Sequence, residues 1–62
     1  GLSFVGYINR TRIDRARDLL RTTTDPVTTI ATGVGINDHS YFTKLFRRET
    51  GLTPSAYRAS AG

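Results

Sequence analysis

The stretch PVTTIATGVGINDHSYFTKLFRRETG, residues 26–51, decides how this chain folds. Its apolar residues recur at steps of three and four, which is the period of amphipathic helices. A short helix over residues 26–33 is expected to begin at an Asp25 cap followed by proline. A longer helix over residues 39–50 is expected to begin at an Asp38 cap and to end at the next glycine. The stretch therefore predicts two helices joined by a tight turn.

The turn between these two helices has the composition of a helix-turn-helix. Ala31 is a small residue four positions before Gly35, which suits a close crossing of the helices. Gly33 and Gly35 can both supply the positive φ of a tight turn, because glycine has no Cβ. The inward apolar residues of the second helix are expected to be Phe42, Leu45 and Phe46.

The opposite face of the second helix carries polar and basic side chains. Short donors and acceptors stand near its start and long cations follow, an order that suits base contact in a major groove with phosphate contact behind it. The candidates for base contact are His39, Ser40, Thr43, Lys44 and Arg47. Further candidates for phosphate contact are Thr28, Thr29 and Arg48, the threonines because helix-start amides can meet a phosphate. The alternatives are a solvated basic face and hydroxyls that only cap helices.

The flanking sequence predicts two more helices. Residues 3–22 carry an apolar stripe, with Ser3 as the cap. Downstream, Thr53 and the proline after it start a short helix over residues 54–60. No segment alternates with period two, so the expected fold class is all-α, a small helical bundle. The aromatic residues expected in its core are Phe4, Tyr7, Phe42, Phe46 and Tyr57.

Composition narrows the functional classes. Sixty-two residues allow one small domain. Nine Lys and Arg against five Asp and Glu leave a net charge of +4, which favours an anionic partner such as nucleic acid. With no cysteine and a single histidine, we expect no enzyme activity, no metal and no cofactor. No apolar run approaches the roughly 20 residues that span a bilayer. Because the chain begins with Gly1 and not with methionine, we expect it to be part of a larger protein.

The chain also contains an internal echo. GLSFVGY at residues 1–7 aligns with GLTPSAY at residues 51–57, with three identical positions and one exchange of serine for threonine. This spacing predicts a unit of about fifty residues that is repeated in a longer protein.

An ordered set of motifs resembles the AraC/XylS family of bacterial transcription regulators. The set comprises RIxxAxxLL at residues 12–20, VxxIAxxVGIxDxSYFxKxFRR at residues 27–48 and GxTPxxYR at residues 51–58, so it covers nearly the whole chain. Ile36 stands where the family usually has an aromatic residue, and His39 where it often has proline.

The resemblance implies sequence-specific DNA binding in transcription regulation, with the helix over residues 39–50 in a major groove. It implies two helix-turn-helix units joined by a long linker helix, so that residues 1–7 end the first unit and residues 8–62 hold the linker helix and the second. Arg12 matches a family motif position, and it would either contact phosphate or brace the subdomains. The implied partners are double-stranded DNA and RNA polymerase, and effector binding and dimerisation would use other parts of the protein. The resemblance also implies that the protein is located in the cytoplasm.

A rival hypothesis is a helical protein-interaction module that contacts RNA polymerase or a partner subunit through the basic first helix. That helix holds the densest basic run, which consists of Arg10, Arg12, Arg15, Arg17 and Arg21. Pairing of Asp14 with Arg10 and Arg17 would neutralise part of it. Salt separates the hypotheses, because the logarithm of DNA affinity falls linearly with the logarithm of salt concentration, whereas the affinity of an apolar docking face barely responds. A membrane-surface helix is disfavoured, because this helix lacks tryptophan and holds two acids.

Overall fold

The computed structural model describes residues 3–61, which form four helices. Their bounds are Phe4–Thr22 (α1), Val27–Gly33 (α2), His39–Thr50 (α3) and Pro54–Ala61 (α4). No strand occurs among these described residues. The all-α class and the order of the predicted helices are confirmed.

Three of the four helices begin with the side-chain caps that the sequence predicts. The capping residues are Ser3, Asp38 and Thr53. In each, a side-chain oxygen accepts a hydrogen bond from the backbone N–H three residues later, at 3.0, 3.0 and 3.2 Å respectively. Such caps satisfy amides that have no partner within the helix. Helix α3 ends at Gly51, which has the left-handed φ of +83°.

Two predictions about α2 are wrong. Asp25 does not cap the helix, because Pro26 itself has an extended ψ of 149° and its carbonyl is the first acceptor, bonded to the Ile30 N–H at 3.1 Å. Asp25 is therefore one residue too far upstream to serve the first amides. Gly33 does not supply a positive φ, because it is the last residue of the right-handed helix, and only Gly35 takes that conformation in this turn.

The core lies where α1 packs against the other three helices. The buried residues of the helices are Ile13, Ala16 and Leu20 from α1, Ile30 and Ala31 from α2, Phe42, Leu45 and Phe46 from α3, and Pro54 from α4. Tyr57 of α4 packs edge-on against Phe46, with ring centroids 5.5 Å apart. Arg58 donates hydrogen bonds to the carbonyls of Leu20 and Thr23, both at 3.2 Å, and so fixes α4 against the end of α1.

The predicted burial of Phe4 and Tyr7 is wrong. Phe4 is 78% exposed and Tyr7 is 62% exposed. The reason is the length of α1, since a helix of 19 residues extends about 28 Å in a molecule 32 Å along its longest axis. Its buried residues begin only at Ile13, so the first turns project beyond the core.

No helix within residues 3–61 combines the length and the apolar character that crossing a membrane would require.

Candidate nucleic-acid interface

Helix α3 has one buried face and one exposed face. Phe42 and Phe46 are completely buried, and their rings lie 5.9 Å apart. Ser40, Lys44 and Arg47 follow one another at steps of four and three, so they share the opposite, exposed face. The core thus sets which side of α3 points to solvent.

The remaining candidates on α3 lie around this face. Thr43 is half-buried at its edge, and His39 is exposed as the first residue of the helix. Arg48 is exposed and lies about 100° around the helix axis from Arg47. Glu49, the acidic residue within α3, lies about 200° from Arg47 and therefore away from the basic face. The structure brings the five base-contact candidates and Arg48 together on one helix.

Thr28 and Thr29 lie on a different helix from these residues. Both are exposed at the beginning of α2, which packs against α3. Together with Thr32 and Gly33 they line a shallow concavity on the outer side of α2.

The turn before α3 is built by backbone hydrogen bonds. The Ile36 N–H donates to the Ala31 carbonyl at 2.9 Å, and the Gly35 N–H donates to the Thr32 carbonyl at 3.0 Å. These two hydrogen bonds, together with a left-handed residue, here Gly35 at φ +91°, form a Schellman motif. Ile36 is buried, so its side chain anchors the turn in the core.

Arg12 lies beside this turn. Its Nη1 donates a hydrogen bond to the Gly35 carbonyl at 3.3 Å, and the side chain is half-buried. A Cβ built on Gly35 would lie 3.4 Å from the Arg12 Cζ, so the two residues are in direct contact. Arg12 therefore connects α1 to the turn that orients α3. The sequence left this role open, because the contact joins residues 23 positions apart.

The basic side chains of α3 and α1 differ in whether they form ion pairs. Among the residues that the structure describes, the three cations of α3 form no ion pair. On α1 the pairs are Asp14 with Arg17 at 3.6 Å and Asp18 with Arg21 at 2.7 Å. The predicted pair of Asp14 with Arg10 is not among the ion pairs of residues 3–61. The α3 cations are thus available for an anionic partner, whereas part of the α1 charge is already neutralised.

Tyr41 is a further exposed residue of α3 that is not among the residues predicted from the sequence. Its side chain is 47% exposed on α3, and its hydroxyl accepts a hydrogen bond from the Asn9 side-chain amide at 3.2 Å. Tyr41 lies four residues before Leu45 in the helix and therefore borders its buried side. A tyrosine hydroxyl usually needs a hydrogen-bond partner, and this is the feature of the sequence that could have indicated that Tyr41 lies at an exposed edge of α3.

The proteins to which this chain is similar agree with the helix-turn-helix geometry described above. A family model described as a helix-turn-helix domain matches residues 1–60. The arabinose operon regulatory protein of Escherichia coli is 39% identical over 59 residues, which cover 95% of this chain and 20% of that protein. The HTH-type transcriptional activator RhaS of Escherichia fergusonii is 47% identical over 58 residues, which cover 94% of this chain and 21% of that protein.

An uncharacterised HTH-type transcriptional regulator of Bacillus subtilis, YisR, is 41% identical over 58 residues, covering 94% of this chain and 20% of that protein. The chain thus spans about a fifth of the length of the curated relatives that it matches. No solved structure matches it. From the family match, the relatives and the four-helix fold, the chain belongs to the AraC/XylS-type helix-turn-helix domains, which are DNA-binding domains of bacterial transcription regulators.

Proposed function

We propose that α3 enters the major groove of double-stranded DNA and recognises a specific sequence there. The observation that carries this proposal is the exposed face of Ser40, Lys44 and Arg47, which is opposite the buried rings and has no ion pair within the described residues. A helix with a fixed buried face presents its outer face in one orientation, as groove recognition requires.

The base-contact candidates are His39, Ser40, Thr43, Lys44 and Arg47. Arginine and lysine pair with guanine O6 and N7, and each good bidentate contact adds about 1–3 kcal/mol of discrimination. We assign Arg48 and the exposed hydroxyls of α2, Thr28 and Thr29, to phosphates. These contacts orient the helix without reading sequence.

For Arg12 the hydrogen bond to Gly35 favours the bracing role over phosphate contact. A guanidinium engaged with the turn stabilises the angle between α2 and α3, and through it the position of the recognition face. We therefore count Arg12 as a positioning residue.

A preceding helix-turn-helix unit, effector binding and dimerisation would be supplied by other parts of a longer protein. We propose that residues 1–7 end a preceding helix-turn-helix unit, and that residues 8–62 are the linker helix and the second unit.

RNA polymerase is a candidate partner of the longer protein, and the exposed Arg10 and Arg15 of α1 are free of the ion pairs described above. Effector binding and dimerisation would lie in its other segments. The protein would work in the cytoplasm, where the bacterial chromosome is.

An NMR titration with a mixed-sequence duplex tests the interface. We expect the amide signals of residues 39–48 to shift at low salt, and to shift less at about 200 mM salt, where phosphate contacts are weakened. Lys44→Ala should weaken binding. Arg15→Ala, which removes the same charge from the exposed surface of α1, should change affinity less.

Two results would contradict the proposal. Unshifted α3 signals in a folded chain would exclude DNA binding through α3 by this chain alone. Shifts confined to α1, with Arg15→Ala more damaging than Lys44→Ala, would instead favour binding through the basic first helix.

A further inference from the structure

Tyr41 lies at the edge of the exposed face of α3. At about 100° per residue, it is about 90° around the helix axis from the middle of the face formed by Ser40, Lys44 and Arg47. Arg48 lies about 20° from Tyr41, two turns later along the same edge. The Tyr41 side chain is 47% exposed, so this edge of α3 is accessible to a partner.

This edge would face a wall of the major groove if α3 binds there. An α-helix with its side chains is about 10–12 Å across and the groove is about 12 Å wide, so the helix fills the groove. Side chains in the middle of the face then meet base edges, whereas side chains about 90° away meet the sugar–phosphate backbone of one strand. Tyr41 and Arg48 would therefore lie beside the same strand.

The hydroxyl of Tyr41 is held by a side chain of α1. The Asn9 amide donates a hydrogen bond to it at 3.2 Å, across 32 positions of sequence. Within residues 3–61, no other side-chain hydrogen bond connects α3 to another helix. Asn9 is half-buried and lies one turn before Arg12, which bonds to the turn before α3. The bond thus restrains the hydroxyl before any DNA is present.

A tyrosine hydroxyl that accepts a hydrogen bond still has its own proton to donate. Asn9 uses a lone pair of the phenolic oxygen, and no acceptor for the Tyr41 proton occurs within the part of the chain that the structure describes. DNA phosphates are anionic and bind hydroxyl donors such as tyrosine. Donation from Asn9 to Tyr41 and from Tyr41 to a phosphate would run in one direction, and bonds in such a chain strengthen one another.

We propose that the Tyr41 hydroxyl donates a hydrogen bond to a phosphate of the DNA strand beside α3, and that Asn9 is the positioning residue that orients it. This inference rests on the groove binding proposed above and adds a neutral contact to it. Because tyrosine carries no charge, the contact releases no counterion, and because it meets a phosphate, it reads no base. Tyr41 would strengthen binding and orient α3 without changing the salt dependence.

The affinity of residues 1–62 for a mixed-sequence duplex tests the contact, because phosphates are present in every sequence. Tyr41→Phe removes only the hydroxyl, and it should weaken binding by about tenfold, as the loss of a hydrogen bond to a charged group does. The slope of log affinity against log salt should stay unchanged. Arg48→Ala is the matched variant on the same edge, and it should both weaken binding and reduce that slope by about 0.9.

Asn9→Ala separates the phosphate contact from a purely structural role. Asn9→Ala and Tyr41→Phe both remove the bond between α1 and α3, so they should change the Tm by similar amounts. Tyr41→Phe also removes the proton that the phosphate accepts. It should therefore weaken DNA binding clearly more than Asn9→Ala does. Equal losses of affinity in the two variants would overturn the phosphate contact, because the pair would then only hold α3 in place.

NMR of the unsubstituted chain bound to the same duplex tests the contact without any substitution. The Tyr41 ring protons should show contacts to the deoxyribose protons that adjoin the phosphates. Contacts to base protons instead, or a Tyr41→Phe variant that binds as tightly as the unsubstituted chain, would overturn this inference and leave groove binding by α3 intact. A duplex that shifts no α3 signal would overturn both.

Discussion

Arg12 illustrates how one side chain can position the proposed recognition helix α3 without lying on it. Its guanidinium donates to the carbonyl of Gly35, the left-handed residue of the turn. A planar guanidinium holds a carbonyl in a defined direction, so the bond restrains the turn as well as joining it to α1. A motif position that family resemblance assigns ambiguously thus acquires a structural role.

Arg12→Ala should lower the free energy of unfolding by about 1 kcal/mol, the usual net value of such a hydrogen bond. DNA affinity should fall with it, while the slope of log affinity against log salt stays unchanged. Thermal unfolding and salt-dependent titrations measure the two effects, and Arg15→Ala controls for the lost charge. A slope reduced by about 0.9 with an unchanged Tm would instead identify Arg12 as a phosphate contact.

The turn between α2 and α3 is the element that makes the helix pair. Gly35 takes a φ of +91°, and the Schellman bonds of the turn require this left-handed residue. Gly33, two positions earlier, is an ordinary helical residue at the end of α2. Two glycines that look alike in the sequence therefore have different conformational requirements.

Gly35→Ala should destabilise the domain by about 1–2 kcal/mol, because a Cβ disfavours the left-handed conformation. Gly33→Ala is the matched control. Nothing lies within 4 Å of a Cβ at Gly33, so alanine there should stabilise the helix by up to about 1 kcal/mol. Chemical denaturation of the two variants measures both changes. Equal stabilities for the two would refute the assignment of the strained position to Gly35.

At the scale of the whole molecule, one small core supports all four helices. Phe46 is completely buried and contacts the rings of Phe42 and Tyr57, so it joins α3 to α4. A domain of this size has little stability in reserve. The orientation of the proposed recognition face on the outside of α3 therefore depends on the packing of its buried side.

Phe46→Ala should remove about 3–5 kcal/mol, enough to unfold most of the population, and DNA binding should be lost with the fold. Phe4→Ala removes the same ring from a site that is 78% exposed, and in this chain it should leave the Tm unchanged. Circular dichroism at 222 nm against temperature measures both. A Phe46→Ala variant that keeps its helical signal and a normal Tm would contradict the assignment of the core to this residue.

The sequence determined whatever depends on residues within one or two turns of helix. The caps at Ser3, Asp38 and Thr53 follow from side chains and amides three residues apart, and the inward face of α3 follows from its apolar period. The all-α fold and the outward orientation of Lys44 and Arg47 were therefore predictable.

Only the tertiary structure decided the features that depend on distant partners. The Arg12 bond to Gly35 spans 23 residues, and no local pattern encodes it. Phe4 and Tyr7 have the same helical spacing as core residues, yet both are exposed, because no described helix covers their side chains. Periodicity shows which side of a helix is apolar, but burial also requires another segment to cover that side, and this depends on how the helices pack.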